Sequence, residues 1–178
     1  MHHENLWAPW RRAYLLELQR KADHEGVADD AGSSGSFLVE YFAHPEHDER
    51  NHVIHRDAHG MVLLNRYPYA NGHLLVALGN ARPGLLDYEP AQRAAFWALV
   101  EHACGLMRRT LRPQGINMGI NEGSAAGAGV PDHLHAHVIP RWSGDTNFIS
   151  TVGGVRIIPD ALEEMAKSYR LASDQQAP

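Results

Sequence analysis

Three histidines stand at alternate positions in the segment HLHAHVI, which runs from His133 to Ile139. Residues two apart share one face of a β-strand, so His133, His135 and His137 are expected to line one side of a strand at a spacing of about 6.6 Å. The apolar residues between them are expected to face the core. Such a row of imidazoles, which titrate near neutral pH, is suited to metal binding, acid–base catalysis or nucleophilic attack.

Three interpretations of this row are open. A single metal ion fits it poorly, because the three side chains would span about 13 Å from first to last. A polar surface with ordinary histidines is the second interpretation. The third is covalent catalysis, since a neutral imidazole whose other nitrogen is held as a donor is a good nucleophile toward phosphorus. The segment NEGSAAGAGVP, residues 121–131, favours the third, because the backbone amides of such a small-residue loop can approach phosphates closely.

The composition of the chain argues against several classes of protein. Its 178 residues, 44% of them hydrophobic and 21% charged, suit one globular domain. A formal net charge of −5 argues against broad nucleic-acid binding. The single cysteine, Cys104, excludes a disulfide framework and a multi-cysteine zinc site. The sequence has neither an apolar run that could span a membrane nor a hydrophobic secretory segment at its start, so we expect a cytoplasmic protein without a membrane partner.

The sequence predicts an α+β fold around the histidine row, with strands joined by short turns and helices packed beside them. Hydrophobic alternation and turn residues predict strands at about 52–56, 61–65, 73–78, 116–121 and 133–139, and a further candidate strand at 154–159. Helices are predicted after Pro9, over Pro90–Leu111, and from an Asp160 cap to about Leu171. The domain limits that follow are an N-terminal helix and flexible connector at 1–36, a main domain at 37–145, and an extension packed on that domain at 146–178.

Two blocks of the sequence resemble the histidine triad (HIT) family. The segment HLHAHVI matches the family signature His-φ-His-φ-His-φ-φ, where φ is apolar, at all seven positions, and LLNRYPYANGHLLV is similar to its nucleotide-binding strand pair. The segments LWAPWRRAYL and IPRWSGDTNF resemble a bacterial subgroup that includes diadenosine tetraphosphate phosphorylases. The resemblance implies a HIT-like fold, which is an antiparallel sheet of about five strands with one long and one or two shorter helices.

The resemblance also implies a role for each histidine of the row. The central His135 would attack the α-phosphate of a nucleotide and become adenylylated. His137 would contact the phosphates and assist the leaving group, and the His133 segment would orient the nucleophile through its backbone carbonyl. The lone histidines are expected to be solvated or hydrogen-bonded, and they are His44, His47, His52, His55, His59 and His102.

Residues implied to bind the nucleotide come from both blocks and from the loop between them. Asn65 would contact the ribose and Leu63 the base, while His73 would have a structural or a catalytic role. Arg141 would meet the distal phosphates or be a surface charge, and Trp142 would stack on a second base or simply pack. The remaining implied phosphate contacts are the side chain of Asn121 and the backbone amides of Gly127, Ala128 and Gly129.

The activity implied by the resemblance is nucleotidyl transfer or hydrolysis at the α-phosphate of adenine nucleotides. Its most specific form is a diadenosine tetraphosphate phosphorylase, with inorganic phosphate as acceptor and ATP and ADP as products. A hydrolase of dinucleoside polyphosphates or adenosine phosphoramidates, with water as acceptor, is the alternative, and a nucleotide-binding or signalling module is the alternative of another class. No cofactor is expected to be required, although a divalent metal ion can accompany the substrate, and a homodimer or larger homo-oligomer is expected.

One departure from the family concerns zinc. Many members carry Cys-x-x-Cys near the segment SFLV, where this chain has Ser36 and Val39. We therefore expect the usual zinc site to be missing and the local fold to depend on packing alone.

Overall fold

A computed structural model describes residues 36–145 and 157–174 of the chain. The predicted helix after Pro9 lies outside these residues, as do nearly all of the connector and the first half of the candidate strand at 154–159. Residues 157–159 are described and form neither helix nor strand. The described residues include the whole histidine row and all the residues implied to bind a nucleotide.

Five strands form one antiparallel sheet, which confirms the predicted fold class. They are β1 (Val53–Arg56), β2 (Gly60–Leu64), β3 (Leu74–Leu78), β4 (Gly115–Ile120) and β5 (His135–Arg141). Their spatial order is β1-β2-β3-β5-β4, so the strand that carries His135 and His137 lies inside the sheet between β3 and β4. Within this register, His137 pairs with Leu75 and His135 pairs with Ala77.

Three α-helices accompany the sheet within the described residues. They are α1 (Phe37–Ala43), α2 (Pro90–Leu111) and α3 (Leu162–Asp174). Helix α2 has the predicted bounds, whereas α3 begins two residues after the proposed cap and continues past the predicted end. Asp160 accepts a hydrogen bond from Asn71 at 2.5 Å, which ties the approach to α3 to the turn before β3. Helix α1 was not among the predicted elements.

The two faces of the sheet have different coverings. On one face, helices α2 and α3 complete the larger hydrophobic cluster, which includes Leu134, Ala136 and Val138 as predicted from the alternation. On the other face, a smaller cluster lies beneath helix α1. Its buried members are Leu38, Val53, Met61, Leu63, Leu75 and Ala77. Since alternate residues point to opposite faces, His135 and His137 lie on the α1 side of the sheet.

The turn before β3 requires a glycine at position 72. Gly72 has a φ of +78°, and a Cβ placed on it would lie 2.3 Å from a methyl carbon of Leu111. Its carbonyl oxygen accepts a hydrogen bond from the buried Tyr169 hydroxyl at 2.8 Å. Helix α3 is therefore tied to the turn directly before His73, and larger residues at position 72 would disturb both.

Strand β4 is one edge of the sheet, since it pairs only with β5 in the strand order. Met118 on this strand is an exposed hydrophobic residue. The predicted assembly into homodimers or larger oligomers stays a prediction. Within residues 36–145 and 157–174, none of the helices combines the length and the apolar character that crossing a membrane demands.

Candidate active site

His135 opens strand β5 and is held in one tautomer by the backbone. Its Nδ1 lies 2.9 Å from the carbonyl oxygen of His133, and because a carbonyl oxygen only accepts, Nδ1 carries the proton. The lone pair is therefore on Nε2. The side chain is 4% exposed and lines a cavity. A neutral imidazole in this tautomer is suited to nucleophilic attack on a group bound there.

His133 does not join the row as the alternation predicted. It lies before the start of β5, and its side chain is 0% exposed. Its Nε2 donates to the carbonyl oxygen of Leu78 at 2.8 Å, so its Nδ1 accepts from the hydroxyl of Ser36, also at 2.8 Å. Burial lowers the pKa of His133 and favours the neutral ring. The ring is a buried structural group, and it is the backbone carbonyl of His133 that reaches His135.

His137 is hydrogen-bonded to His73, which joins the two sequence blocks in space. The Nδ1 of His73 accepts from the backbone N–H of Tyr69 at 3.1 Å, so the proton of His73 lies on Nε2. That Nε2 donates to Nδ1 of His137 at 3.0 Å. The proton of His137 is consequently on its Nε2. The side-chain amide nitrogen of Asn65 also lies 3.3 Å from Nδ1 of His73 and supports the same tautomer.

The environment of His137 keeps its ring neutral. Burial, followed by the neighbouring His135, lowers the pKa of His137 from 6.5 to about 4. Its Nε2 is buried and has no hydrogen-bond partner among the described residues. A buried donor of this kind costs free energy unless a partner arrives. The ring that carries this N–H lies next to the ring of His135, since the two ring centroids are 5.1 Å apart.

The lowered pKa of His137 predicts a loss of stability in mild acid. The His137 ring binds a proton near pH 6.5 in the unfolded chain but only near pH 4 in the folded chain. The free energy of unfolding is therefore unaffected by this group above pH 6.5 and decreases as the pH falls from 6.5 to 4. At pH 5 this group alone should cost about 2 kcal/mol of unfolding free energy. The measurement is urea unfolding of the wild type and His137→Gln at pH 7.5 and pH 5. We expect the wild type to lose about 2 kcal/mol more than the variant between the two pH values, and equal losses would contradict the prediction.

A cavity of about 460 Å³ opens beside His135 and His137. It brings together six of the residues selected from the sequence, which are Leu63, Asn65, Gly127, Gly129, His135 and His137. Asn121 contacts the rim, where its side-chain amide donates to the carbonyl oxygen of Gly127 at 3.4 Å. Gly127 has a φ of +87°, a conformation that favours glycine. The glycine-rich loop thus closes one side of the cavity.

Other selected residues lie outside the cavity lining. His73 and His133 are behind it as buried partners of the two lining histidines, and Ala128 is not part of the lining. Arg141 and Trp142 are at the far end of β5. There the Arg141 guanidinium pairs with Asp145 at 2.6 Å and donates to Asn117 at 2.8 Å. Arg141 is thus paired at the surface, and its two interpretations stay predictions.

Several cavity residues were missed from the sequence. Helix α1 contributes an apolar and aromatic wall, and the turn RYPY after β2 contributes a cationic side chain and two tyrosines. His52, expected to be an ordinary lone histidine, also lines the cavity. The missed lining residues are Phe37, Leu38, Tyr41, Asn51, His52, Leu64, Arg66, Tyr67, Tyr69, Leu75 and Val130. The only sequence signal was the position of RYPY directly after the predicted nucleotide-binding strand.

Helix α1 is fixed over the cavity at both ends. At its start, the Ser36 hydroxyl oxygen accepts from the backbone N–H of Leu38 at 3.2 Å while its proton is donated to His133. At its end, Arg56 donates to the carbonyl oxygens of Phe42 and Tyr41 at 2.6 and 2.8 Å. The expectation that packing alone holds this region is therefore wrong, because hydrogen bonds tie the helix to the sheet and to the histidine segment.

The positions of the family's Cys-x-x-Cys do not fit a zinc ion in this chain. Val39 offers no ligand atom. Ser36 is engaged with His133, and both ring nitrogens of His133 already have partners within the protein. At the first of these two positions, the Ser36 side chain therefore forms a hydrogen bond with His133.

Comparison with known proteins agrees with this fold. The HIT domain family model matches residues 46–144. A Mycobacterium tuberculosis protein named AP-4-A phosphorylase is 36% identical over 162 residues, which cover 90% of this chain and 80% of that protein. A bis(5'-nucleosyl)-tetraphosphatase (asymmetrical) of Schizosaccharomyces pombe is 31% identical over 93 residues, which cover 52% of this chain and 50% of that protein.

The fold comparison leads to the same family. A zinc-bound histidine triad family protein from Mycobacterium smegmatis, known from its crystal structure, aligns with a TM-score of 0.63 and 31% identity over 79% of this chain and 96% of that chain. The antiparallel sheet and the paired histidines on β5 thus define a histidine triad protein. The chain belongs to the HIT domain family.

Proposed function

We propose that the protein is a diadenosine tetraphosphate phosphorylase that works through an adenylylated His135. As a member of the HIT family with phosphorylase and tetraphosphatase relatives, the chain is an enzyme of the phosphorylase or hydrolase type. The observation that carries the proposal is the hydrogen bond from Nδ1 of His135 to the His133 carbonyl, which leaves Nε2 as a nucleophile at the cavity wall. The similarity over 90% of the chain to a protein named AP-4-A phosphorylase supports the choice of substrate.

In the first step, Nε2 of His135 attacks the α-phosphorus of the bound dinucleotide. A P–N bond forms, the bond from phosphorus to the bridging oxygen breaks, and ATP leaves. His137 donates its Nε2 hydrogen bond to the phosphate oxygens as negative charge develops on them. That N–H is buried and lacks a protein partner among the described residues, so a phosphate oxygen bound against it would supply the missing hydrogen bond.

In the second step, an acceptor oxygen attacks the adenylyl phosphorus and the P–N bond breaks. Inorganic phosphate as acceptor gives ADP, and water gives AMP. His135 regains its lone pair on Nε2, and the His133 carbonyl restores the same tautomer. The exposed Arg66 at the cavity is the charged side chain best placed to attract the phosphates of substrate and acceptor.

Product analysis tests this proposal directly. The protein is incubated with diadenosine tetraphosphate and Mg²⁺, with and without inorganic phosphate, and the nucleotides are separated. A phosphorylase gives equal amounts of ATP and ADP, and only when phosphate is present. ATP and AMP formed regardless of phosphate would make the protein a hydrolase, which the similarity to a tetraphosphatase favours as the second candidate. Binding without turnover of this substrate or of adenosine phosphoramidates would instead indicate a nucleotide-binding module.

A further inference from the structure

Asn51 is a polar side chain in the wall of the cavity. It is 6% exposed and lines the cavity. Its backbone N–H donates to the carbonyl oxygen of His47 at 2.9 Å, which fixes the residue just before β1. Its carboxamide has no hydrogen-bond partner within residues 36–145 and 157–174. Neither polar atom of the carboxamide is fully inaccessible, so the group can be reached from the cavity.

A carboxamide that opens on a cavity and has no protein partner among the described residues can offer both its donor and its acceptor to a bound molecule. The other residues of the cavity lining indicate what kind of molecule this could be. The lining of the same cavity includes apolar and aromatic side chains of α1, β2 and β3, and Phe37 and Tyr41 pack edge to face at 5.1 Å. Flat apolar walls with one pair of adjacent donor and acceptor atoms match the shape and the edge of a heterocyclic base.

We propose that the carboxamide of Asn51 binds the edge of the nucleotide base and sets the base preference of the enzyme. The inference rests on the proposed function, because it places a nucleotide in this cavity with its α-phosphate at His135. Oδ1 accepts from the exocyclic N6–H of adenine, and Nδ2 donates to the adjacent ring nitrogen. His52, which follows in the chain and also lines the cavity, has a pKa lowered by burial and offers no fixed charge that would compete.

Replacing the carboxamide by a carboxylate changes which base edge can be satisfied. An aspartate at this position has two acceptors and no donor, so it loses the bond to the adenine ring nitrogen and repels its lone pair. Guanine presents two neighbouring donors, N1–H and the exocyclic N2–H, to the same carboxylate. The base preference should therefore shift from adenine toward guanine in Asn51→Asp, while a leucine of similar size should remove the preference.

The experiment compares binding of AMP with that of purine riboside 5'-monophosphate, which lacks the 6-amino group, by calorimetry. We expect the wild type to bind AMP about tenfold more tightly than the analogue, because the analogue lacks the amino group that donates to Oδ1 of Asn51. Asn51→Leu should bind the two nucleotides equally, because it lacks that acceptor. Asn51→Asp should raise the ratio of GMP to AMP affinity about tenfold or more. Thermal unfolding of each variant verifies that it is folded, and the isosteric Asn51→Asp keeps the test available if the leucine variant does not fold.

Asn65→Ala is the matched control for this experiment. It removes a carboxamide from the same cavity, and because Asn65 is expected at the ribose it should weaken AMP and the purine analogue by the same factor. If the wild type binds none of these nucleotides, the proposed function fails together with the inference. If the wild type binds AMP but Asn51→Leu and Asn51→Asp keep the wild-type ratios, the inference about Asn51 is overturned and the proposed function stands.

Discussion

Replacement of His135 by alanine is expected to lower the turnover of diadenosine tetraphosphate by about 10⁴-fold or more, because it removes the proposed nucleophile. Binding of AMP should change much less, since the cavity walls and the His137 donor remain. Rapid acid-free quenching of the wild type with α-labelled substrate should trap label on the protein through an acid-labile P–N bond. The same quench of His135→Ala should leave the protein unlabelled.

The matched control for His135→Ala is His59→Ala, which removes an exposed histidine in the turn between β1 and β2. That variant should keep wild-type turnover and labelling. Thermal unfolding should show that His135→Ala is folded, since the alanine leaves the main chain of β5 and its pairing with β3 unchanged. A His135→Ala variant that retains more than a tenth of the wild-type rate would exclude the covalent mechanism.

The local patterns of the sequence predicted most of the fold. Alternation placed the apolar residues of β5 in the core, and the long amphipathic pattern gave α2 its observed bounds. These signals succeed because strand and helix periods are set by the local backbone and by which side faces the core. Helix α1 has only seven residues, too few for its period to be read, and its bounds are set by Ser36 and Arg56.

The details of the site depended on partners far apart in the chain. His133 lies just before the strand, and its ring is hydrogen-bonded to Ser36, 97 positions away, and to the carbonyl oxygen of Leu78, 55 positions away. The alternation could not contain this information, since it describes only neighbours along the chain. Asn51 was missed for the same reason. A lone asparagine before a strand is an ordinary turn residue, and only the structure shows that Asn51 is buried in the cavity wall.

The chain of hydrogen bonds through His73 leads to a second large effect. Replacement of His73 by leucine should lower kcat by about 10²- to 10⁴-fold with little change in KM, because His137 loses the donor that fixes its tautomer. In the wild type, Nε2 of His73 donates to Nδ1 of His137, which keeps the proton of His137 on Nε2 toward the substrate. Without that donor, Nδ1 of His137 is left as a buried acceptor. The ring can then adopt the tautomer with its proton on Nδ1, which has no N–H on Nε2 to offer to the substrate.

His73→Gln is the matched variant, because its side-chain amide can donate from nearly the position of Nε2 of His73 and should keep kcat within about tenfold of the wild type. The ¹⁵N shifts of the His137 ring give a readout that a merely structural role would not change. They should report a protonated Nε2 in the wild type and in His73→Gln, and a mixture of tautomers in His73→Leu. A folded His73→Leu protein with the wild-type tautomer of His137 and the wild-type kcat would show that His73 does not position the proton of His137.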